Sequence, residues 1–165
     1  MNQLTRNIIL LLLLLANVGC DQLSKGIARE QLDYHRQTEV LGSFLSLIKI
    51  ENTGAFLSLG HNWPEWIRLT LLTFLPIFFL SAGLYILLTN RKMSLLTASG
   101  LGFMLGGGIG NMIDRLLYGS VTDFLHMDLG LFRTGIFNLA DVSIMVGVGL
   151  MILDQFITKN KVETI

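Results

Sequence analysis

Two aspartates, Asp123 and Asp141, stand in a half-polar stretch between two long apolar runs. Insertion scales assign about 2.5–3.5 kcal/mol to an Asp at the centre of a membrane helix, so acids in or beside a span are functional candidates. Two carboxylates at a membrane boundary predict acid/base chemistry. Asp128, five residues after Asp123, could replace it in any two-acid scheme.

Both acids also have a structural interpretation. Asn138 and Asp141 have the spacing of a helix N-cap and an acid at the third position, which any membrane helix could use. Taken alone, this pair favours the capping interpretation. Asp123, predicted to lie in a loop, would more often be a solvated charge.

The composition places the chain among membrane proteins. Of its 165 residues, 52% are hydrophobic and only 15% are charged, more apolar than a soluble domain needs. A formal net charge of zero leaves no basic stripe for nucleic acid. One cysteine, three isolated histidines and no Gly-x-Ser-x-Gly sequence argue against disulfide, zinc-protease and serine-hydrolase chemistry. We expect no metal and no cofactor.

The apolar runs predict a mainly α, polytopic membrane protein with residues 1–165 in a single domain. A span takes about 20 mostly apolar residues. Four stretches qualify, at approximately residues 8–23, 66–88, 95–117 and 136–157.

Basic residues predict the orientation of these spans. The positive-inside rule puts both termini and the link between spans two and three in the cytoplasm. Segments 24–65 and 118–135 then face outward, and Trp63 and Trp66 fit an aromatic anchor at the outer entrance of span two. The basic residues behind this assignment are Arg6, Arg91, Lys92, Lys159 and Lys161.

The first outward segment predicts a small β-sheet. Residues 39–51 contain runs of alternating apolar and polar residues, which favour short strands lying on the bilayer. Residues 52–55 read as a turn, and residues 56–59 as an interfacial segment before Gly60.

Span three carries small residues at every fourth position, a pattern that lets helix backbones approach closely in lipid. These residues are Ala98, Gly102, Gly106 and Gly110. Asp114 continues this stripe, and Asn111, Asp114 and Arg115 cluster at the outer end of the helix. We expect Asp114 and Arg115 to form a structural ion pair.

Span one contributes a second polar face, because Asn17, Asp21 and Lys25 are spaced four residues apart. Asp21 precedes Lys25 in the better order for a helical ion pair. With Asn138 and Asp141 at the outer entrance of span four, polar residues of three helices predict a wet pocket just below the outer surface.

Cys20 follows an apolar run in a way that imitates the end of a lipoprotein signal peptide. Asn17 stands at the third position before it, where an apolar residue is expected, and three more spans follow. We therefore interpret Cys20 as lying at the end of a transmembrane helix.

Five sequence blocks together resemble the lipoprotein signal peptidase family (signal peptidase II), bacterial membrane aspartyl endopeptidases. The resemblance covers nearly the whole chain, and the order and spacing of the blocks make it specific. The blocks are residues 21–25 (DQLSK), 51–56 (ENTGAF), 108–115 (GIGNMIDR), 121–124 (VTDF) and 137–142 (FNLADV).

The resemblance implies that Asp123 and Asp141 are a catalytic dyad. It also implies that the enzyme cuts prolipoproteins before a diacylglyceryl-modified cysteine, in the bacterial inner membrane, with the active site near the outer leaflet. We expect a monomer. One Asp would be the base and the other, protonated, would polarise the carbonyl and protonate the leaving amine. The positions that line or support the site are Asp21, Lys25, Asn52, Gly54, Asn111, Asp114, Arg115, Asn138 and Ala140.

Two other function classes stay open at this point. Buried acids with an arginine could form a proton relay in a small proton-coupled transporter, or belong to a structural membrane subunit. Four spans without an inverted repeat make a transporter the weaker alternative. The chain could also be a lipoprotein itself, processed before Cys20.

Overall fold

The computed structural model describes residues 2–54 and 62–163. It confirms a mainly helical fold with a small antiparallel sheet. The helices are α1 (Gln3–Gln31), α2 (Glu65–Leu69), α3 (Leu75–Thr89), α4 (Leu95–Tyr118) and α5 (Leu139–Glu163). The strands are β1 (Thr38–Leu41), β2 (Leu45–Asn52) and β3 (Val121–Met127).

Helices α2 and α3 form one continuous rod, because a π-helical segment, Thr70–Phe74, joins them. Pro76 follows this segment and has no N–H to donate to the carbonyl of Leu72, which accounts for a local departure from α-helical bonding. The second predicted span therefore corresponds to residues 65–89.

Three helical stretches of the described residues are long and apolar enough to cross a membrane: Gln3–Gln31, Glu65–Thr89 and Leu139–Lys159. Helix α4 is 24 residues long and contacts α1, α3 and α5. Its glycines and the polar residues at its C-terminal end make it less apolar than the others. It is the central helix, and the polar site residues of span three lie on it.

Glycines of α4 allow α1 and α5 to approach it closely. A Cβ added at Gly110 would collide with the carboxylate of Asp21 on α1. A Cβ added at Gly107 would collide with the carbonyl oxygen of Ala140 on α5. Small residues on two faces of α4 thus bring the polar positions of three helices to one level.

The sheet has the order β1-β2-β3, and both pairings are antiparallel. Residues 39–51 do form strands, as predicted, and they make up most of β1 and β2. The prediction of a loop at 118–135 was wrong, because Val121–Met127 form β3. Asp123 lies on this strand opposite Ile50, with an exposed fraction of only 3%, and is therefore not a solvated loop charge.

Helix α1 is longer than the predicted first span. It continues past Leu23 to Gln31, so it carries Lys25 and Arg29 beyond the apolar run. Cys20 is exposed within this helix, and its placement at a helix end was wrong. The predicted interfacial segment 56–59 and Gly60 lie outside the described residues.

Candidate active site

The two candidate catalytic acids come from different elements and are joined by one asparagine. Asp123 lies on β3, and Asp141 lies in the first turn of α5. The Asn138 side chain donates from Nδ2 to Asp123 Oδ1 at 2.6 Å. The backbone N–H of Asn138 donates to Asp141 Oδ2 at 3.2 Å. The fold therefore brings both carboxylates to the same residue.

Asn138 and Asp141 also make a reciprocal helix cap. Asn138 Oδ1 accepts from the backbone N–H of Asp141 at 3.0 Å, while Asp141 accepts from the backbone N–H of Asn138. This is the capping geometry that the spacing predicted. The cap uses Oδ2 of Asp141, whereas Oδ1 of the same carboxylate accepts from the side chain of Asn111.

Two further amide side chains bind the carboxylate oxygens that Asn138 does not contact. Asn52 donates from Nδ2 to Asp123 Oδ2 at 3.0 Å, and Asn111 donates from Nδ2 to Asp141 Oδ1 at 3.0 Å. Each carboxylate thus accepts hydrogen bonds on both oxygens from uncharged groups. Such donors fix the orientation of a carboxylate without a full positive charge at its side.

The environment of Asp123 makes its protonated form more accessible than that of a solvent-exposed aspartate. Burial, opposed by the hydrogen bond from Asn52 and reinforced by the negative charge of Asp141, raises the pKa of Asp123 to about 6. A carboxyl with this pKa exchanges a proton near neutral pH, as acid/base catalysis requires.

A separate cluster of buried ions lies between α1 and α4. Lys25 Nζ lies 2.8 Å from Asp21 Oδ2 and 3.4 Å from Asp114 Oδ2. Arg29 Nη2 lies 2.7 Å from Asp114 Oδ1. The ion pair predicted between Asp21 and Lys25 is confirmed. Asp21 also accepts from the backbone N–H of Ala140 at 2.9 Å, which ties α1 to the start of α5.

The predicted ion pair between Asp114 and Arg115 is wrong. Successive helical residues point about 100° apart, so these two side chains diverge. Asp114 turns to the α1 cations and accepts from the backbone N–H of Thr122 on β3 at 3.0 Å. Arg115 Nη2 instead donates to the carbonyl of Gly54 at 2.8 Å, and Gly54 N–H donates to Asn52 Oδ1 at 3.0 Å. Arg115 therefore supports the Asn52 turn.

The ion cluster and the acid pair are connected through Asn111. Lys25 Nζ donates to Asn111 Oδ1 at 2.8 Å, which leaves the Asn111 amide nitrogen to face Asp141. Since the ammonium group has no acceptor, this contact determines which end of the amide is presented to the acid. We call the acid pair, the ion cluster and the residues that bond to them the polar layer. The predicted support positions that contact the pair are Asn52, Asn111 and Asn138.

Sequence reasoning missed four polar residues of this layer. Gln22 donates to Asp114 at 3.1 Å, and Arg29 donates to Thr122 Oγ1 at 2.9 Å. Thr122 in turn donates to Glu51 Oε1 at 2.9 Å. Arg29 is one helical turn from Lys25, a spacing that could have suggested its place. Thr122 and Glu51 depend on strand pairing, which the sequence did not reveal.

Asp128 is not part of the acid pair. It forms an ion pair with Arg133 at 2.8 Å and accepts from the backbone N–H of Gly130 at 2.9 Å. At about 3.3 Å per strand residue, five residues separate it from Asp123 by roughly 16 Å. The structure therefore removes Asp128 from a two-acid scheme.

An apolar cleft of about 370 Å³ opens beside Asp141, between β3 and α5. This volume lies in the range of ligand pockets, about 300–1,000 Å³. Its lining residues are Met127, Thr134, Gly135, Ile136, Phe137, Asp141, Val142, Met145 and Val146. Within residues 2–54 and 62–163, no three His, Cys, Asp or Glu side chains are grouped as a metal site would need.

Comparison with known proteins gives consistent matches along the chain. A protein from Listeria monocytogenes named lipoprotein signal peptidase is 34% identical over 156 residues, which are 93% of this chain and 97% of the relative. A lipoprotein signal peptidase from Burkholderia vietnamiensis is 41% identical over 138 residues, covering 82% and 80%.

A solved structure described as a bacterial membrane enzyme at 2.3 Å resolution superimposes with a TM-score of 0.81 at 26% identity. It covers 93% of this chain and 90% of the other. The profile of the family described as Signal peptidase (SPase) II matches residues 12–157. This chain therefore belongs to the signal peptidase II family.

Proposed function

We propose that this protein is an aspartyl endopeptidase that removes signal peptides from diacylglyceryl-modified prolipoproteins, with Asp123 and Asp141 as its catalytic pair. The observation that carries the proposal is Asn138, which donates to both carboxylates beside an apolar cleft. The relatives named lipoprotein signal peptidase support the substrate class. Family membership favours this function over a proton-coupled transporter.

The two acids divide the work because they share one proton. Asp123, whose pKa burial raises to about 6, holds the proton, and Asp141 is the ionised base. Asp141 takes a proton from water as the water oxygen bonds to the scissile carbonyl carbon. Asp123 donates a hydrogen bond to the carbonyl oxygen as negative charge develops there.

Collapse of the tetrahedral intermediate completes the reaction. The C–N bond breaks, and Asp123 gives its proton to the leaving nitrogen, which becomes the amino group of the lipidated cysteine. The proton taken by Asp141 remains in the pair, so one proton is again shared between the two acids. Binding of apolar substrate in the adjacent cleft would exclude water and further favour the protonated state of Asp123.

The asparagines hold the acids in place for this exchange. Asn52 and Asn138 donate to the two oxygens of Asp123, and Asn111 donates to Asp141, so all three side chains are neutral donors. A lysine or arginine at those positions would stabilise the ionised form and oppose protonation. Neutral donors instead allow either acid to gain or lose a proton without leaving its position.

The site faces the outer leaflet of a bacterial membrane in this proposal, with both chain termini in the cytoplasm. Support comes from the basic residues at the other end of the spans, including Arg6, Arg91 and Lys92. A reporter fused after Ile165 should be inaccessible from outside the cell. External labelling of that reporter would contradict the orientation.

The decisive experiment compares two substrates. The purified protein in detergent is incubated with a diacylglyceryl-modified prolipoprotein and, in parallel, with its unlipidated precursor. We expect cleavage of the modified substrate alone, immediately before the lipidated cysteine, as read from the product masses. The Asp123→Asn/Asp141→Asn double variant is the matched control. Equal cleavage of both substrates would contradict the proposed specificity, and cleavage by the double variant would contradict the proposed pair.

A further inference from the structure

Two neighbouring loops at one end of the sheet expose large apolar side chains. We call residues 40–44, at the β1–β2 connection, and residues 129–132, after β3, the tip loops. Leu131 is 100% exposed, and the others are also exposed: Val40, Leu41, Phe44, Leu129 and Phe132. The backbone N–H of Asp128 donates to the carbonyl of Phe44 at 3.0 Å and joins the two loops. A single exposed leucine needs no explanation, but a contiguous apolar group indicates an interaction surface.

Three of the four backbone N–H groups of the second tip loop have local hydrogen-bond partners. Leu129 N–H donates to the carbonyl of Phe132 at 3.0 Å, and Leu131 N–H donates to the carbonyl of Leu129 at 2.9 Å. Between them, Gly130 N–H donates to the carboxylate of Asp128 at 2.9 Å. Three consecutive amides are therefore bonded inside the loop. Water would serve as a partner in an aqueous loop, whereas hydrocarbon supplies none.

Charge is confined to the base of this loop. Asp128 and Arg133 pair there at 2.8 Å, and the Arg133 side chain is 73% exposed. All four residues between them are apolar or glycine: Leu129, Gly130, Leu131 and Phe132. An apolar tip above a charged base matches the boundary between acyl chains and lipid headgroups.

The tip loops also continue an apolar surface that belongs to the membrane part of the chain. Met127 and Thr134, which flank the second tip loop, line the same cleft as Val142 and Met145 of α5. Met145 is 71% exposed on a helix that is long and apolar enough to span a membrane. An apolar path thus leads from the lipid-facing side of α5 to the tip.

We propose that the tip loops are embedded in the acyl region of the outer leaflet and anchor the sheet at a fixed depth. Asp123 lies on β3, the strand that ends at the second tip loop, so the depth of the tips sets the depth of this acid. The anchor goes beyond peptidase activity. It requires only that the sheet lies on the outer side of the membrane.

The test measures where the tip resides in a bilayer. In a Cys20→Ser background, Leu131→Cys carries an environment-sensitive fluorophore, and the protein is reconstituted in phosphatidylethanolamine/phosphatidylglycerol vesicles. Asp33→Cys, on the same outer part of the chain, is the matched control because its side chain is 76% exposed. We expect lipids with a nitroxide on the acyl chain to quench the Leu131→Cys label and aqueous iodide to spare it, with the opposite result for Asp33→Cys.

Three outcomes would overturn the anchor. Iodide quenching of Leu131→Cys as strong as that of Asp33→Cys would place the tip in water. Protection of the Leu131→Cys label from both quenchers would mean that protein covers the tip. Protection that disappears on dilution of protein into lipid would mean that a second copy covers it. Because no reading depends on turnover, these results are distinguishable from failure of the proposed peptidase function.

A second variant tests whether the apolar character of the tip causes its insertion. Leu129→Glu/Phe132→Glu, combined with the label at Leu131→Cys, adds two charges to side chains that are exposed and not part of the core. We expect the label to become accessible to iodide while the protein stays folded in the membrane. Unchanged lipid quenching would contradict the proposal, since two charges oppose burial among acyl chains.

Discussion

Four aspartates share the polar layer of this protein, but they are held in two opposite ways. Asp21 and Asp114 are paired at 2.7–3.4 Å with the α1 cations Lys25 and Arg29. Within the described part of the chain, Asp123 and Asp141 accept only from uncharged donors, namely asparagine side chains and a backbone amide. Among the described residues, neither of these two acids forms an ion pair.

The difference separates architecture from chemistry. Removing a carboxylate from a buried ion pair would leave the cation without its partner, so Asp21 and Asp114 serve to join α1 and α4. A carboxylate held by amides keeps its position and can still gain a proton. The same residue type therefore joins helices in one cluster and is available for proton transfer a few ångströms away. Substitutions that act differently on the two clusters test this division.

The largest effect is expected at the amide-held pair. Asp123→Asn and Asp141→Asn keep the side-chain shape but cannot ionise, so each should lower activity by about 10²–10⁴-fold. The double variant should lose a similar amount, because the residues act as a unit. Both variants should accumulate at the parental level. Asparagine has one acceptor oxygen where each aspartate accepts on two, so one neighbouring donor loses its partner and the thermal midpoint should fall slightly.

Asp128→Asn is the matched control for that pair and should retain parental turnover, because Asp128 forms an ion pair with Arg133, accepts from Gly130 and does not contact the pair. Turnover is measured with the lipidated substrate, and protein level by quantitative blotting. Substantial activity of Asp141→Asn at a normal protein level would reduce Asp141 to a helix cap.

The ion cluster should respond through stability. Asp114→Ala leaves Lys25 and Arg29 without one carboxylate in a buried site, which costs about 3–5 kcal/mol. We expect poor accumulation and a lower thermal midpoint, whereas Asp128→Ala, which breaks a partly exposed pair, should change little. An Asp114→Ala protein as abundant and heat-stable as the parent, yet inactive, would move Asp114 into the chemistry.

A smaller effect is expected at Asn52. Its hydrogen bond lowers the pKa of Asp123, so Asn52→Ala should raise that pKa above its parental value of about 6. Asp123 acts as the acid and must be protonated, so kcat/KM of the parent should fall as pH rises through about 6. In Asn52→Ala this alkaline limb should move to higher pH, with about a tenfold lower maximum. If the alkaline limb of Asn52→Ala stayed at the parental pH, the group that titrates there would not be Asp123.

The smallest effect is expected at Cys20, which lies outside both clusters. Its side chain is exposed on α1, so Cys20→Ala should change stability by no more than about 0.5 kcal/mol and leave turnover at the parental level. The intact mass should show that the chain is not cut before residue 20. A diacylglyceryl or palmitoyl group on Cys20 would contradict the interpretation of this segment as a plain membrane helix.

Local patterns were sufficient for the helices and failed for the third strand. Apolar runs of membrane length and the helical spacing of Asp21 and Lys25 describe contacts within one element, so they are readable from the sequence. β3 was missed because its hydrogen-bonding partner, β2, lies some 70 residues earlier in the chain. Asp114 and Arg115 were assigned to each other because they are adjacent, although their side chains point to different elements.

The sequence by itself determined the membrane class, the apolar stretches that form long helices, and the family. Each follows from composition or from short blocks whose order along the chain is informative. Apart from the local pair of Asp21 and Lys25, only the tertiary structure decided which acids have cations and which have amides. That choice depends on how α1, α4, α5 and β3 pack. Asp114, Asp123 and Asp141 bind side chains that belong to other elements of the fold, and only the backbone N–H of Asn138 is a local donor. Which donor an acid binds depends on its neighbours in three dimensions. Burial, the main cause of the raised pKa of Asp123, exists only once the chain has folded.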